Sequence, residues 1–561
     1  MTLEADAHIV KFRVLLVDDE EAHETEKLAP LRRDPLVDLV VADSREEARA
    51  ASTGGYFHLA LVDLQLDAED DRNIDGQLFL RELQEGRPTC RRILLTRTAG
   101  EHHKAIFELA NPDGPMIHGA LDKSDFGRDW VRWIKARAAH WNRTRLYVHE
   151  LAVLRLALGK AVSGRGVFGD EAPIMTDDEL MEVISKLLGD QHTSDMNGAE
   201  PPEVLPIRQR EEVRLAPLPG PQGESSAGVV LARVEFGGAL GSQTWVVKVA
   251  ERADCKQESS RYESFARFRI SPQRRAELLG VWLGDTIGAA AYAFAGRSPD
   301  DIGDLEAMFT ARDERAIDVV KALFGSEVDD LWQPVEEVED APFPSDLGAY
   351  FFDAYKLDAK SVGGEVESYV RNHEAQLGIG VINETMRLTG SGRMVALPNA
   401  RFLGGPNVRT SYRSGLIHGD LNARNILVGD ENSVRLIDFR HARVGALAAD
   451  FAAIESSVRL AAAMEDANHI ENVFSVERAT LTAGWSERRR DEAVARLPYW
   501  GKVSVGIAEC GRKRATPFAK REYLAACLLY AFRLFRVNDL GAEKHLRLVP
   551  WIAALCGALD V

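Results

Sequence analysis

Asp420, Asn425 and Asp438 are the residues whose types and spacing are best fitted to chemistry. The first two lie in HGDLNARNIL (418–427), the third in LIDF (436–439). One carboxylate can take a proton from a hydroxyl. An amide five residues on can bind a metal held by nucleotide phosphates, and a second carboxylate arrives on the end of a neighbouring strand. The stretch SVRLIDF (433–439) has the apolar pattern of such a strand. Together these groups imply phosphoryl transfer. Asp and Asn in a loop often only make turns; a His, a Gly, two Asp and an Asn in register argue for more.

A second polar set lies near the other end of the chain. KFRVLLVDDEE (11–21), HLALVDLQL (58–66), RRILLTRT (91–98) and GALDKSD (119–125) read as apolar strands with helical stretches between them, which predicts a parallel sheet. Sites in such sheets lie beyond the carboxyl ends of the strands, where Asp18, Asp19, Asp63, Thr96 and Lys123 fall. Clustered carboxylates repel one another and favour a divalent cation.

Between the two sets, residues 212–250 predict three strands, EVRLA, AGVVLARVEF and TWVVKVA, the third carrying Lys248. The following helix, KQESSRYESF (256–265), offers Glu258 and Glu263 as carboxylate partners for that lysine. The loop LPGPQGESSAG (218–228) holds Gly220, Gly223 and Gly228, whose backbone amides could cover phosphates, with Ser225 and Ser226 as hydroxyl donors. AAYAFAG (290–296) reads as a buried strand ending at a glycine.

These motifs carry two resemblances. HGD in place of HRD, a plain IDF and no APE-type segment after Asp438 resemble the aminoglycoside phosphotransferase and choline kinase branch of the protein-kinase-like superfamily. The resemblance implies that Asp420 is the base, that Asn425 and Asp438 hold Mg2+, and that His418 braces the loop. Arg424 would offer a cation to the transferring phosphoryl group, and Asp450 would be a structural aspartate. Lys248 would bind the α and β phosphates of ATP, paired with Glu258, and the backbone from Phe294 to Gly296 would meet the adenine. The N-terminal set resembles the receiver domain of two-component response regulators. By that likeness Asp18 and Asp19 bind magnesium, Asp63 is a further metal ligand and the phosphoacceptor, and Thr96 (or Thr98) and Lys123 contact the phosphoryl oxygens. The sequence departs from receiver usage in a long acidic loop after Asp63, in Ala120 where an aromatic is common, and in Ser124 after the lysine.

The expected fold class is multidomain, α/β plus α+β. A flavodoxin-like receiver (10–140) precedes a helical connector and linker (141–210). A bilobal protein-kinase-like phosphotransferase fold follows, its N-lobe at 211–296 and its helical C-lobe at 297–561, with the catalytic loop at 418–439. The stretch 130–158 reads as one continuous helix, and Thr176-x-x-Glu179 as a capping box opening a helix over 176–188. A chain of 561 residues can bury several cores, and a net charge of −18 argues against nucleic acid or acidic membranes as partners. Five scattered cysteines fit reduced thiols, and no apolar run is long enough for a membrane span, so a cytoplasmic protein is expected. The expected cofactors are ATP and Mg2+. The expected partners are an unidentified hydroxyl acceptor, a histidine kinase or other phosphodonor for the receiver, and a second copy of the chain. Two other readings stand beside the enzyme: an inactive nucleotide-binding scaffold (a pseudokinase), and a protein kinase acting on a protein partner.

Overall fold

The computed structural model describes residues 11–20, 25–66, 74–96, 116–123, 129–144, 147–158, 176–188, 212–217, 228–235, 242–293, 303–325, 331–334, 344–404, 408–429, 433–461, 470–486, 490–514, 517–535 and 541–559. Gly223, Ser225, Ser226, Phe294, Gly296 and Thr98 lie outside them. The chain divides into two compact units, one comprising 1–218, 225–259 and 278–294, the other 219–224, 260–277 and 295–561.

The first unit opens with five parallel strands, β1 (Phe12–Val17), β2 (Val37–Ala42), β3 (Leu59–Asp63), β4 (Arg91–Thr96) and β5 (Gly119–Asp122), ordered β2-β1-β3-β4-β5. That order is the flavodoxin-like one, with its switch point between β1 and β3. The strands are apolar throughout because both faces are covered. One face packs Leu15, Val17, Ala60 and Val62 against Phe79, Leu80 and Leu83. The other packs Val14, Leu16, Leu59 and Leu61 against Leu28, Leu31, Trp130 and Ile134. The carboxyl ends of β1, β3 and β5 therefore face the same side with Asp18, Asp63 and Lys123 on or just past them.

The same unit carries a six-stranded sheet ordered β10-β11-β9-β8-β7-β6. Its strands are β6 (Tyr147–His149), β7 (Glu212–Pro217), β8 (Gly228–Glu235), β9 (Ser242–Glu251), β10 (Leu278–Leu283) and β11 (Ile287–Ala293). The three strands expected over 212–250 are all present. The continuous helix expected over 130–158 is not: helix Asp129–Thr144 ends, β6 pairs parallel with β7, and a new helix runs Leu151–Leu158. Glu150, at φ 57°, makes the left-handed turn between them. Helix Asp177–Leu188 buries Leu180, Val183, Ile184, Leu187 and Leu188 among Val213, Val230, Val247 and Ile287, so it belongs to the core of this sheet.

The second unit is helical around three small sheets, ordered β12-β17-β18, β13-β14-β15 and β16-β19, the middle one built of β13 (Ile379–Ile382), β14 (Thr385–Leu388) and β15 (Met394–Ala396). The first joins β12 (Gly303–Asp304), β17 (Ile426–Val428) and β18 (Val434–Leu436); the last joins β16 (Ser414–Ile417) and β19 (Arg443–Ala446). A hairpin, Ile379–Ile382 with Thr385–Leu388, interrupts the helices of the C-lobe expected at 297–561. Arg459 is buried on helix Ala448–Ala461, bonded by Glu455 and by both oxygens of Glu477, with its guanidinium 4.3 Å from the Trp551 ring. A buried cation is tolerated only with such neutralising partners. Among the described residues, no helix is long and apolar enough to cross a membrane.

Candidate functional site

In the second unit, backbone register brings Asp420, Asn425 and Asp438 together. β17 and β18 pair antiparallel with Ile426 opposite Leu436, and Ile437 N donates to Asn425 O at 3.0 Å. Asn425, just before one strand, and Asp438, just after the other, are thus delivered to the same end of the hairpin. The Asn425 amide donates from Nδ2 to Asp420 O at 2.8 Å, which turns its Oδ1 away from that carbonyl. Asp438 has φ 62° and ψ 65°, a left-handed conformation that costs energy in a non-glycine residue and is kept where the surroundings dictate it. Gly419 has φ +81°, and a Cβ there would lie 2.2 Å from His441 O, so only glycine fits before Asp420.

Asp450, 1 % exposed, clamps the loop from behind. Its carboxylate accepts from His418 N (2.7 Å), Gly419 N (2.9 Å) and Trp332 Nε1 (2.7 Å). Burial raises its pKa, opposed by the charge of His418 and by these donors. His418 donates from Nε2 to Ile437 O at 2.8 Å, and its ring lies 5.1 Å from Phe439, which in turn meets Tyr262 at 5.7 Å. Arg424 is committed elsewhere: Glu306 clasps its guanidinium with both carboxylate oxygens. The cation beside Asp420 is Arg533, from helix Lys520–Phe535, with its guanidinium 3.7 Å from Asp420 Oδ1. No local pattern pointed to Arg533, which lies more than a hundred residues downstream.

In the first unit, Lys248 Nζ lies 2.7 Å from Glu258 Oε2, both buried, and Tyr292 Oη also donates to Glu258. Lys248 sits mid-strand on β9, flanked by Val229 of β8 and Ala290 of β11. Glu263 instead pairs with Arg267 at 2.7 Å on an exposed surface, so of the two glutamates Glu258 is the partner. Sequence reasoning placed Tyr292 in a buried strand and missed its hydroxyl contact.

At the carboxyl ends of β1, β3 and β5, oxygens of Asp18, Asp19 and Asp63 lie within 4.8 Å of one another. Lys123 Nζ is 2.6 Å from Asp63 Oδ2 and 2.9 Å from Asp18 Oδ2. Burial pushes Asp63 up to about 6, opposed by Lys123 and reinforced by Asp18 and Asp19. This is a set of hard oxygen donors with excess negative charge, the type a divalent cation takes. Thr96 ends β4 at the same edge of the sheet.

The opposite edge of that sheet is docked. Asp285, in the turn between β10 and β11, accepts from Thr89 N (2.8 Å) and Thr89 Oγ1 (2.5 Å). Glu179 completes only half of the expected capping box, its N donating to Thr176 Oγ1 at 3.2 Å. Its carboxylate takes Thr286 N (2.6 Å) and Thr286 Oγ1 (2.7 Å). Buried Arg87 lies 3.8 Å from Glu179 and 3.9 Å from Asp285, while its other nitrogens donate to Ser52 O and Thr53 O. Trp141 Nε1 adds a bond to Glu182 at 2.8 Å.

A family model described as "Ternary complex associated domain 9" matches residues 353–536. No curated protein matches the chain. Among solved structures, a CheY-like response regulator receiver protein from Methanospirillum hungatei JF-1 shares 24% identity, covering 23% of this chain and 96% of its own, at a TM-score of 0.20. An aminoglycoside-3'-phosphotransferase of type VIII shares 17% identity over 57% of this chain and 93% of its own, at 0.31. A thermostable aminoglycoside phosphotransferase, solved as a ternary complex with ADP and hygromycin B, shares 11% over 62% of this chain and 94% of its own, at 0.30. The strand order and site geometry described above fit a flavodoxin-like α/β fold followed by a protein-kinase-like fold.

Proposed function

We propose that the chain is an ATP- and Mg2+-dependent phosphotransferase that moves a γ-phosphoryl group to a hydroxyl acceptor under the control of its receiver. The observation that carries this reading is the delivery of Asp420, Asn425 and left-handed Asp438 to one end of the β17–β18 hairpin, behind which Asp450 fixes the loop. Asn425 Oδ1 and the Asp438 carboxylate are the oxygen donors that would hold magnesium, which supplies charge neutralisation for the phosphates. Asp420 orients the acceptor hydroxyl and takes its proton. Lys248, positioned by Glu258, pairs with nucleotide phosphates. In the receiver, Asp63 is the phosphoacceptor, Asp18 and Asp19 the magnesium ligands, and Lys123 and Thr96 the phosphoryl contacts.

The receiver's docking to the β10–β11 turn supports the regulatory half. That turn also holds the start of helix Arg252–Arg261, since Arg252 N donates to Thr286 O at 3.0 Å, and Glu258 is on that helix. A change at the receiver can thus reposition the Lys248 partner. The decisive experiment incubates the full chain with γ-labelled ATP and cell extract and follows the label. Transfer to a small molecule by wild type, lost in Asp420→Ala and Asp438→Ala, is the expected result. Nucleotide binding with no consumption would leave a scaffold instead, and label on protein would make the chain a protein kinase.

A further inference from the structure

Two arginines stand against the ring of Tyr355, and one of them, Arg533, is beside Asp420. Arg533 lies over the rings of Tyr355 (4.3 Å) and Tyr530 (4.9 Å). Its 3.7 Å approach to Asp420 is too long for a hydrogen bond, and its Nη1 is buried with no hydrogen-bond partner. Arg443, opening β19, also lies over Tyr355 (5.1 Å) and over Tyr350 (5.9 Å). Its Nε donates to Tyr350 Oη at 3.3 Å, and its Nη2 is likewise buried and without a hydrogen-bond partner. The ring both arginines share is tied to the loop, because Tyr355 Oη donates to Gly419 O at 3.4 Å, one residue before the base.

A buried donor with no acceptor costs free energy, and two guanidinium groups held on aromatic faces are ordered for an oxyanion before it arrives. The same pair of cations repels a polycationic sugar. We propose that Arg533 and Arg443 form an anion seat for the phosphoryl acceptor, which is a small hydroxyl compound carrying its own phosphate or carboxylate. This names the substrate class of the site proposed above and rests on that reading. In the transfer, the acceptor oxygen bonds to the γ phosphorus as the bond to the β,γ-bridging oxygen breaks. ADP leaves with that electron pair, and the acceptor proton passes to Asp420. Arg533 and Arg443 touch only the acceptor's anionic group, so they set affinity and orientation.

The test has a binding arm and a turnover arm. In the first, inorganic phosphate is titrated into the full chain without nucleotide. Arg533→Gln and Arg443→Gln should each weaken phosphate at least tenfold, while Lys248→Met should not. Equal affinity in both arginine variants, each folded by circular dichroism, would overturn the seat. Arg533→Lys, which keeps the charge, serves if the glutamine variant does not fold, and should retain part of the affinity. In the second arm, glycerol, glycerol 3-phosphate, glycerate and 3-aminopropane-1,2-diol compete as acceptors for label from ATP. The phosphate and carboxylate compounds should be preferred, and their separate rates tell the two anions apart. Arg533→Gln should raise KM for the preferred compound at least tenfold with little change in kcat. Preference for the amine, or a fall in kcat with KM unchanged, would refute the proposal; the latter would place Arg533 on the transferring phosphoryl instead. If no diol is labelled, the phosphate titration decides alone. Absence of any ATP consumption would sink the phosphotransferase reading while leaving that titration to judge the seat.

Discussion

At the residue scale, the Lys248–Glu258 pair is the clearest case of a charge that survives burial only through its partner. Two ions in a low-dielectric interior are held by close geometry and by further hydrogen bonds, here the one from Tyr292. Removing one partner leaves the other uncompensated, so Glu258→Ala should destabilise the first unit by about 3–5 kcal/mol, read from urea denaturation. The double variant Lys248→Met/Glu258→Leu should recover most of that stability, yet it should not recover nucleotide affinity. A double variant as unstable as the single one would show that the pair is not what Glu258→Ala disrupts. Asp420→Asn belongs to the same scale. It keeps the size of the side chain and removes its basicity, so turnover should fall by roughly 10²–10⁴-fold while ATP binding is kept. Turnover within tenfold of wild type would remove Asp420 from the role of base.

At the scale of elements, the hairpin β17–β18 and the short helix Leu305–Ala311 hold the loop in shape. Asp304 pairs with Leu427 in the sheet and caps that helix, accepting from Ala307 N at 2.7 Å. Glu306, on the helix's first turn, is the residue that clasps Arg424. Burial pushes Asp304 up to about 7, opposed by the cap bond. A carboxyl raised in this way binds its proton more tightly in the folded chain. Its contribution to stability is therefore lost as pH rises from about 4 to about 7, with a ceiling of about 4 kcal/mol. Asp304→Asn keeps the capping oxygen without the charge. The stability of the variant relative to wild type should increase over that pH range, followed by thermal unfolding at several pH values. Parallel curves for the two proteins would mean that Asp304 does not titrate there. Gly419→Ala tests the loop itself: a Cβ at 2.2 Å from a backbone oxygen, at positive φ, should abolish turnover and lower the melting temperature. A fully active alanine variant would contradict the described geometry of the loop.

For the whole molecule, legibility followed how local each feature is. Asp420, Asn425 and Asp438 could be read because chemistry dictates residue type and spacing within one stretch of chain. The five parallel strands were legible because burial on both faces writes a continuous apolar run. Strand β6 was not, since three residues carry no period to separate them from the helices on either side. Glu179 was legible in part: its N caps to Thr176 as the spacing implies, while its carboxylate answers to Thr286, over a hundred residues later. Arg533, Arg443 and Tyr355 were invisible for the same reason, being neighbours only after the helices pack. The docking network of Arg87, Glu179 and Asp285 is of this long-range kind, and it too can be tested. Asp285→Ala removes the acceptor of both Thr89 donors and one counter-charge of Arg87. Amide exchange in helix Asp177–Leu188 and in β11 should speed up, at a cost of about 3–5 kcal/mol in the first unit. Unchanged exchange would mean that the receiver is not latched through that aspartate.

That latch sits at the amino ends of β3 and β4, while Asp63 and Lys123 sit at the carboxyl edge of the same sheet. At about 3.3 Å per residue, grip and trigger are separated by roughly 15 Å of rigid strand. If Asp63 is phosphorylated as proposed, the effect would travel that length as a small slide or tilt of backbone rods. The first thing it would nudge is the turn from which the helix bearing Glu258 hangs.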